Sequence, residues 1–224
     1  MAAHHGLPGS CIHAGGRKAT LPGYFRATKN WDVLVIHQRR LLAAFELKSQ
    51  VGSFGNNFNN RSEEVLGAAA DLWAAHREGA YQPENASGPS GEGVCEVDAA
   101  LLNPEVQRDP RPPFLAWLML LEDSPKSRKP VGVDEPHYTV FPEFNGASYA
   151  DRYRILCERL MTRRLYTAAA LVLSERAAGT ASGRFTSLSE PTSIRALFAA
   201  FAAKLAVEVP NDGRYRPPDA SQTQ

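Results

Sequence analysis

The spacing of apolar and polar positions changes several times along the chain, and each change marks an element. Residues 1–20 carry neither a 3.6-residue nor a 2-residue apolar repeat and read as an irregular leading segment. Residues 32–36 (DVLVI) are β-branched and apolar, and 40–48 (RLLAAFELK) form a second apolar run. Three residues separate the two runs, so an antiparallel hairpin is predicted although the connection lacks Asn-Gly. A Gly/Asn-rich loop is expected over 52–60. A helix over 61–79 follows, with Ser62 as N-cap, Val65, Leu66, Ala69, Leu72 and Trp73 on one face, and Gly79 as its stop.

Residues 82–93 (QPENASGPSGEG) break the pattern and read as an exposed, flexible connection. Residues 114–121 are wholly apolar between Pro-Pro and a polar turn, which suits a strand buried on both faces. A helix is expected over 148–164, with Tyr149, Tyr153, Leu156 and Leu160 sharing a stripe. Residues 165–174 fit either its continuation or a buried strand. Residues 193–207 form an amphipathic helix with Ile194, Leu197, Phe198, Phe201 and Leu205 inward, and a Pro-rich tail follows. The expected fold class is therefore α/β, a mixed sheet flanked by helices. Residues 1–20 are set apart as an irregular N-terminal segment, 21–209 form one domain, and 210–224 a disordered tail.

Composition narrows the class without identifying it. The chain has 224 residues, 43% hydrophobic and 22% charged, which is ordinary globular usage with enough length for a real core. No apolar run reaches the ~18 residues of a membrane span, and no apolar leader opens the sequence, so a cytoplasmic location without membrane contact is expected. Three cysteines (Cys11, Cys95, Cys157) with no CxxC spacing suggest neither a disulfide framework nor a zinc site. The net charge of +1 argues against nucleic acid on average, but the charge is uneven. Between residues 151 and 184 there are seven arginines and three acids, and Lys126, Arg128 and Lys129 add a basic loop.

The chemistry concentrates in residues 32–61. Side chains two apart on a strand share a face, so Glu46 and Lys48 project together. If the hairpin closes, Asp32 lies across from them. Apolar neighbours surround this trio, and charges at the margin of a core strand are paired or bound to metal. Mg²⁺ takes oxygen ligands and commonly one or two carboxylates, so Asp32, Glu46 and the backbone carbonyl of Leu47 form a candidate metal set. With Lys48 beside it, the set suits hydrolysis of a phosphodiester. An ExK pair on a strand also arises by chance as a surface ion pair worth only about 0–1 kcal/mol.

The strings around the trio carry more information than the trio. LPGYFR (21–26), WD (31–32), FELKSQ (45–50) and GSFGNNFNNRSEE (52–64) together resemble the XhoI family of Type II restriction endonucleases. The similarity is densest over residues 21–79 and looser through later segments. The resemblance implies a PD-(D/E)xK nuclease fold, a restriction-endonuclease-like sheet. It implies a Mg²⁺-dependent homodimer that cuts double-stranded DNA within the palindrome CTCGAG, as part of a restriction-modification system. Asp32, Glu46 and Lys48 match the family's catalytic positions, with Trp31 where the usual Pro would stand. Family members are expected to begin with a further helical segment, and here no acid precedes Asp32.

DNA contacts are expected from Gln50, Asn56, Asn57, Asn59, Asn60 and Arg61, whose amides and guanidinium suit phosphates or base edges; the alternative is a structural turn leading to the helix. Glu63 and Glu64 suit either the helix dipole or an outer metal shell. Lys126, Arg128, Arg152, Arg159 and Arg163 are candidate phosphate contacts, the last three at helical spacing, against the reading of a solvated face. Tyr24 and Phe25 are expected as core or hinge aromatics. Two other functions stay open: a catalytically inactive, N-terminally truncated DNA-binding remnant, and a structure-selective repair nuclease.

Overall fold

The computed structural model describes residues 7–82, 85, 111–135, 137–176 and 183–209. The segment 83–110, apart from residue 85, and the tail 210–224 lie outside them, and with them the expected flexible connection and disordered tail. In chain order the elements are β1 (Ile12–Ala14), β2 (Thr20–Pro22), β3 (Thr28–Asn30), β4 (Val33–His37), β5 (Arg40–Gln50), α1 (Phe54–Arg77), β6 (Phe114–Glu122), α2 (Pro125–Arg128), α3 (Tyr149–Thr162), β7 (Ala168–Ser174) and α4 (Ile194–Glu208).

The main sheet has the order β1-β4-β5-β6-β7. Its β1–β4 and β4–β5 pairs are antiparallel, and β5–β6 and β6–β7 are parallel. The mixed α/β class expected from the sequence is therefore the observed one. Strands β2 and β3 form a separate antiparallel ribbon. The leading segment is more ordered than its sequence pattern suggests: Ile12–Ala14 adds an edge strand, and Leu7 and Cys11 are buried. Three residues are too few to show a periodicity, so only pairing with β4 reveals the strand.

Apolar alternation divides the core between the two faces of the sheet. On one face Leu34, Ala44, Leu115, Trp117, Met119 and Leu171 meet Val65, Ala69 and Leu72 of α1 and Tyr153, Cys157 and Leu160 of α3. On the other, Ala43, Ala116, Ala168 and Ala170 leave room for Leu197, Phe201 and Leu205 of α4. Phe45 and Phe114 pack there on Phe201, and with α1 and α3 on the opposite face the layers make a three-layer sandwich. Residues 168–174 settle as the buried strand β7, since every position but the last is buried.

The hairpin closes as its pattern predicts, by a two-residue turn in which Gln38 and Arg39 have φ of 49° and 60°. Two left-handed residues give the turn the twist of the strands, without the Asn-Gly that would advertise it. Helix α1 departs from expectation at its start. It begins at Phe54 rather than near Ser62, with Ser53 left-handed as its N-cap. The Asn-rich string is therefore two turns of helix. Phe54 and Phe58 pack on Tyr149 and Tyr153 of α3, and that tertiary burial overrides the weak helix propensity of Gly and Asn. Helices α3 and α4 begin one residue after the expected serines, Ser148 and Ser193, whose hydroxyls accept from the third backbone N–H of each helix.

Candidate functional site

Hairpin register brings the predicted trio together. Val33 pairs with Phe45, so one step further Asp32 stands opposite Glu46. Backbone contact extends there, with the Asp32 N–H donating to Phe45 O at 3.1 Å. The Asp32 carboxylate then accepts from the Leu47 N–H at 2.7 Å, fixing one of its oxygens beside the Glu46–Leu47 peptide. Asp32 itself is exposed, whereas Glu46 is buried at 5% exposure. Glu46 shares a sheet face with Lys48, whose ammonium lies 2.7 Å from Glu46 Oε1.

Glu46 has a second cationic partner that sequence reasoning missed. Lys29, in β3, places its ammonium 2.8 Å from Glu46 Oε2 and is itself only 13% exposed. The same ammonium lies 4.6 Å from the ring centre of the buried Trp31. Oε2 is in charge contact with Lys29 yet accepts no hydrogen bond. No local signal announces Lys29, because sixteen residues stand between it and Glu46 and it belongs to the separate ribbon.

That ribbon is anchored by another missed residue. Asp71, buried in α1, accepts from the N–H groups of Tyr24 and Phe25 with Oδ1, at 2.9 and 2.7 Å. Its Oδ2 pairs with Arg26 Nε at 3.0 Å. Gly23 is required at this turn, since a Cβ there would stand 2.4 Å from Asp71 Oδ2. Tyr81 braces the other side, donating to Pro22 O at 2.8 Å. Its hydroxyl is held neutral far above the ordinary tyrosine range by burial and by the Asp71 charge. The LPGYFR string is therefore a turn built around a carboxylate. Its Tyr24 and Phe25 rings are exposed, at 55% and 72%, which removes the core alternative of the expected core or hinge aromatics. The signal for Asp71 was available: an acid standing among the inward positions of an amphipathic helix.

The candidate DNA contacts divide sharply. Gln50 is buried with its amide fully engaged, Nε2 donating to Gly52 O and Oε1 accepting from Tyr153 OH. Its role is structural, locking the end of β5 to α3, and it has no free edge for a base. Asn56, Asn59, Asn60 and Glu63 are exposed and fall at helical spacing on one face of α1, while Asn57 is half-buried. Arg61 pairs with Glu64 at 2.6 Å. Because α1 begins at Phe54, Glu63 and Glu64 lie beyond its first turn and do not serve the helix dipole, contrary to that expectation.

The basic positions likewise serve different ends. Arg128 is held on Asp123 by two bonds of 2.7 and 2.8 Å, and Lys126 is exposed on the short helix α2. Arg152 donates to the carbonyls of Val131 and Gly132 and lies over Tyr149. Arg159 lies against Phe141 and Phe144 and pairs with Glu143 at 3.3 Å. These two staple the loop before α3. Arg163 is exposed at the far end of α3, in the wall of an open groove of about 930 Å³ with Phe25, Arg77 and Arg164.

Among the described residues no three His, Cys, Asp or Glu side chains converge as a ready-made metal cage. Two carboxylates facing each other across a hairpin still meet what Mg²⁺ asks of a protein, because water and phosphate complete its octahedron. The buried Glu46 Oε2, held by the Lys29 ammonium alone, is an oxygen donor of the right kind. No helix among the described residues is long and apolar enough to cross a membrane.

Comparison with known proteins agrees with the strings that carry the site. A family model described as "Restriction endonuclease XhoI" matches residues 1–88 and 95–187. The chain is 48% identical over 168 residues to the Type II restriction enzyme BstVI of Geobacillus stearothermophilus, covering 72% of this chain and 63% of the relative. It is 45% identical over 161 residues to the Type II restriction enzyme XhoI of Xanthomonas vasicola, covering 71% and 54%. It is 47% identical over 135 residues to the Type II restriction enzyme AbrI of Azospirillum brasilense, covering 60% and 49%. These matches span between about half and two thirds of each relative's length. No solved structure matches the chain.

Proposed function

The chain belongs to the XhoI family of restriction endonucleases, and on that footing we propose that it is a Type II site-specific deoxyribonuclease. It hydrolyses phosphodiester bonds of double-stranded DNA at a palindrome, CTCGAG by family resemblance, with Mg²⁺ and as a homodimer. The observation that carries the reading is the facing of Asp32 and Glu46 across the hairpin, with Lys48 on Glu46.

Asp32, Glu46 and the Leu47 carbonyl would hold Mg²⁺, which when bound supplies positive charge to the scissile phosphate and acidifies an attacking water. The protein's own contribution is orientation. The Leu47 N–H fixes one oxygen of Asp32, and strand pairing fixes the backbone of Glu46. Lys48 is 27% exposed, within reach of incoming phosphate, and its ammonium stabilises negative charge developing there. The exposed Asn56, Asn59 and Asn60 stand on the first turns of α1, where a helix presents side chains and positive N-terminal potential to DNA. A palindromic site calls for two-fold symmetry, hence a second copy.

The test is digestion of unmethylated plasmid with purified protein and Mg²⁺, followed by sequencing of the ends. Discrete fragments ending within one palindrome are expected. Glu46→Ala and Lys48→Ala should each reduce cleavage by at least about a hundredfold while duplex binding survives. Nicking without a preferred site, or binding without cutting under any divalent ion, would overturn the reading, as would preference for branched substrates.

A further inference from the structure

We propose that Lys29 is a resident counter-cation of the reaction centre: its ammonium neutralises the buried oxygen of Glu46 in the metal-free protein and gives way to the divalent ion. The inference rests on the metal reading of Asp32 and Glu46 above.

Lys29 and Lys48 divide the Glu46 carboxylate between them, 2.8 Å from Oε2 and 2.7 Å from Oε1. Together with Asp32 these are two negative and two positive groups, so the metal-free cluster is formally neutral. Adding a divalent cation without displacement would leave an excess of two positive charges in a partly desolvated space. One ammonium must therefore move away.

Geometry selects Lys29 as the one that moves. Lys48 occupies Oε1 from the same strand and is 27% exposed, already facing the side from which phosphate arrives. Lys29 reaches the carboxylate from the separate β2–β3 ribbon and sits on the oxygen that accepts no hydrogen bond. It also has somewhere to go, since the indole of Trp31 lies 4.6 Å from its ammonium and attracts a cation through its ring face. The ammonium can leave Oε2 without losing all of its stabilisation.

Lys29 is thus a positioning residue. A buried carboxylate without it would be left with one partner and a rotamer less well fixed. The device keeps Glu46 paired and aimed while no metal is bound, at the cost of metal affinity.

The test is calorimetric titration of Ca²⁺ into the full-length, DNA-free protein, comparing wild type with Lys29→Met and Lys29→Arg. Lys29→Met should bind Ca²⁺ about tenfold more tightly, because a competing cation has been removed, and Lys29→Arg should stay near wild type. Equal or weaker binding by Lys29→Met, with wild type binding, overturns the proposal and leaves the metal reading intact. Binding by neither protein overturns both. A purely structural Lys29 would lower thermal stability without raising affinity. Should Lys29→Met fail to fold, Trp31 fluorescence of the wild-type protein decides. Ca²⁺ should change an emission component that is absent in Trp31→Phe, and no change overturns the proposal.

Discussion

Replacing Asp71 separates what its two oxygens do. Oδ1 accepts two backbone N–H groups from the turn at Tyr24 and Phe25, and Oδ2 meets an Arg26 side chain that is 48% exposed. Asp71→Ala removes both functions from a side chain only 3% exposed. Each stranded N–H costs roughly 1–3 kcal/mol, reduced where water can enter the partly open turn, so a loss of about 2–4 kcal/mol is expected. Asp71→Asn keeps an acceptor at Oδ1 and forfeits only the half-exposed ion pair, at about 1 kcal/mol or less. Urea unfolding followed by circular dichroism checks the difference, read from the midpoint at unchanged slope. Equal losses for the two variants would refute the reasoning, as would an Asp71→Ala loss below about 1 kcal/mol.

Further outcomes follow from the same geometry. Tyr153→Phe strands the buried Gln50 carbonyl oxygen and should cost about 1–3 kcal/mol in chemical unfolding. Asn59→Ala and Asn60→Ala, both exposed, should leave stability within about 0.5 kcal/mol. Each should weaken binding to the cleavage site by roughly tenfold in a gel-shift assay, if its amide reads a base edge. Glu208 joins α4 to β5, pairing with Arg40 and Lys204 at 2.7 Å each. Burial alone would raise its pKa, but hydrogen bonds from Lys204 and Arg40 overcome that and hold it below the ordinary glutamate range. Its stabilisation is therefore complete above the unfolded-state pKa and lost as pH falls through the lower folded value. The stability gap between wild type and Glu208→Gln should shrink in acid; a gap constant through the acidic range would refute the assignment.

Much of the fold was legible because periodicity and capping are local. The hairpin, the buried strand β6, the serine-capped helices α3 and α4, and the strand-borne Glu46 and Lys48 all follow from residues within a few positions of one another. Asp32 was legible as well, since a closed hairpin fixes its register opposite Glu46. The family strings, LPGYFR and GSFGNNFNNRSEE above all, carried the membership independently of structure.

Tertiary structure decided whatever depends on partners distant in the chain. The Asn-rich string became helix because Phe54 and Phe58 found aromatic neighbours on α3. Gln50, Arg152 and Arg159 looked like ligand-binding side chains, but Gln50 is engaged inside the protein and one Nη of each arginine is tied to the loop before α3. The sequence by itself determined the strand that sets Glu46 and Lys48 on one face, because alternation along a strand is a property of the backbone. It could not determine that Lys29 sits on Glu46, or that Asp71 shapes the turn of the ribbon carrying it. Long-range charge pairing is set by where separate elements pack, and no local pattern records it.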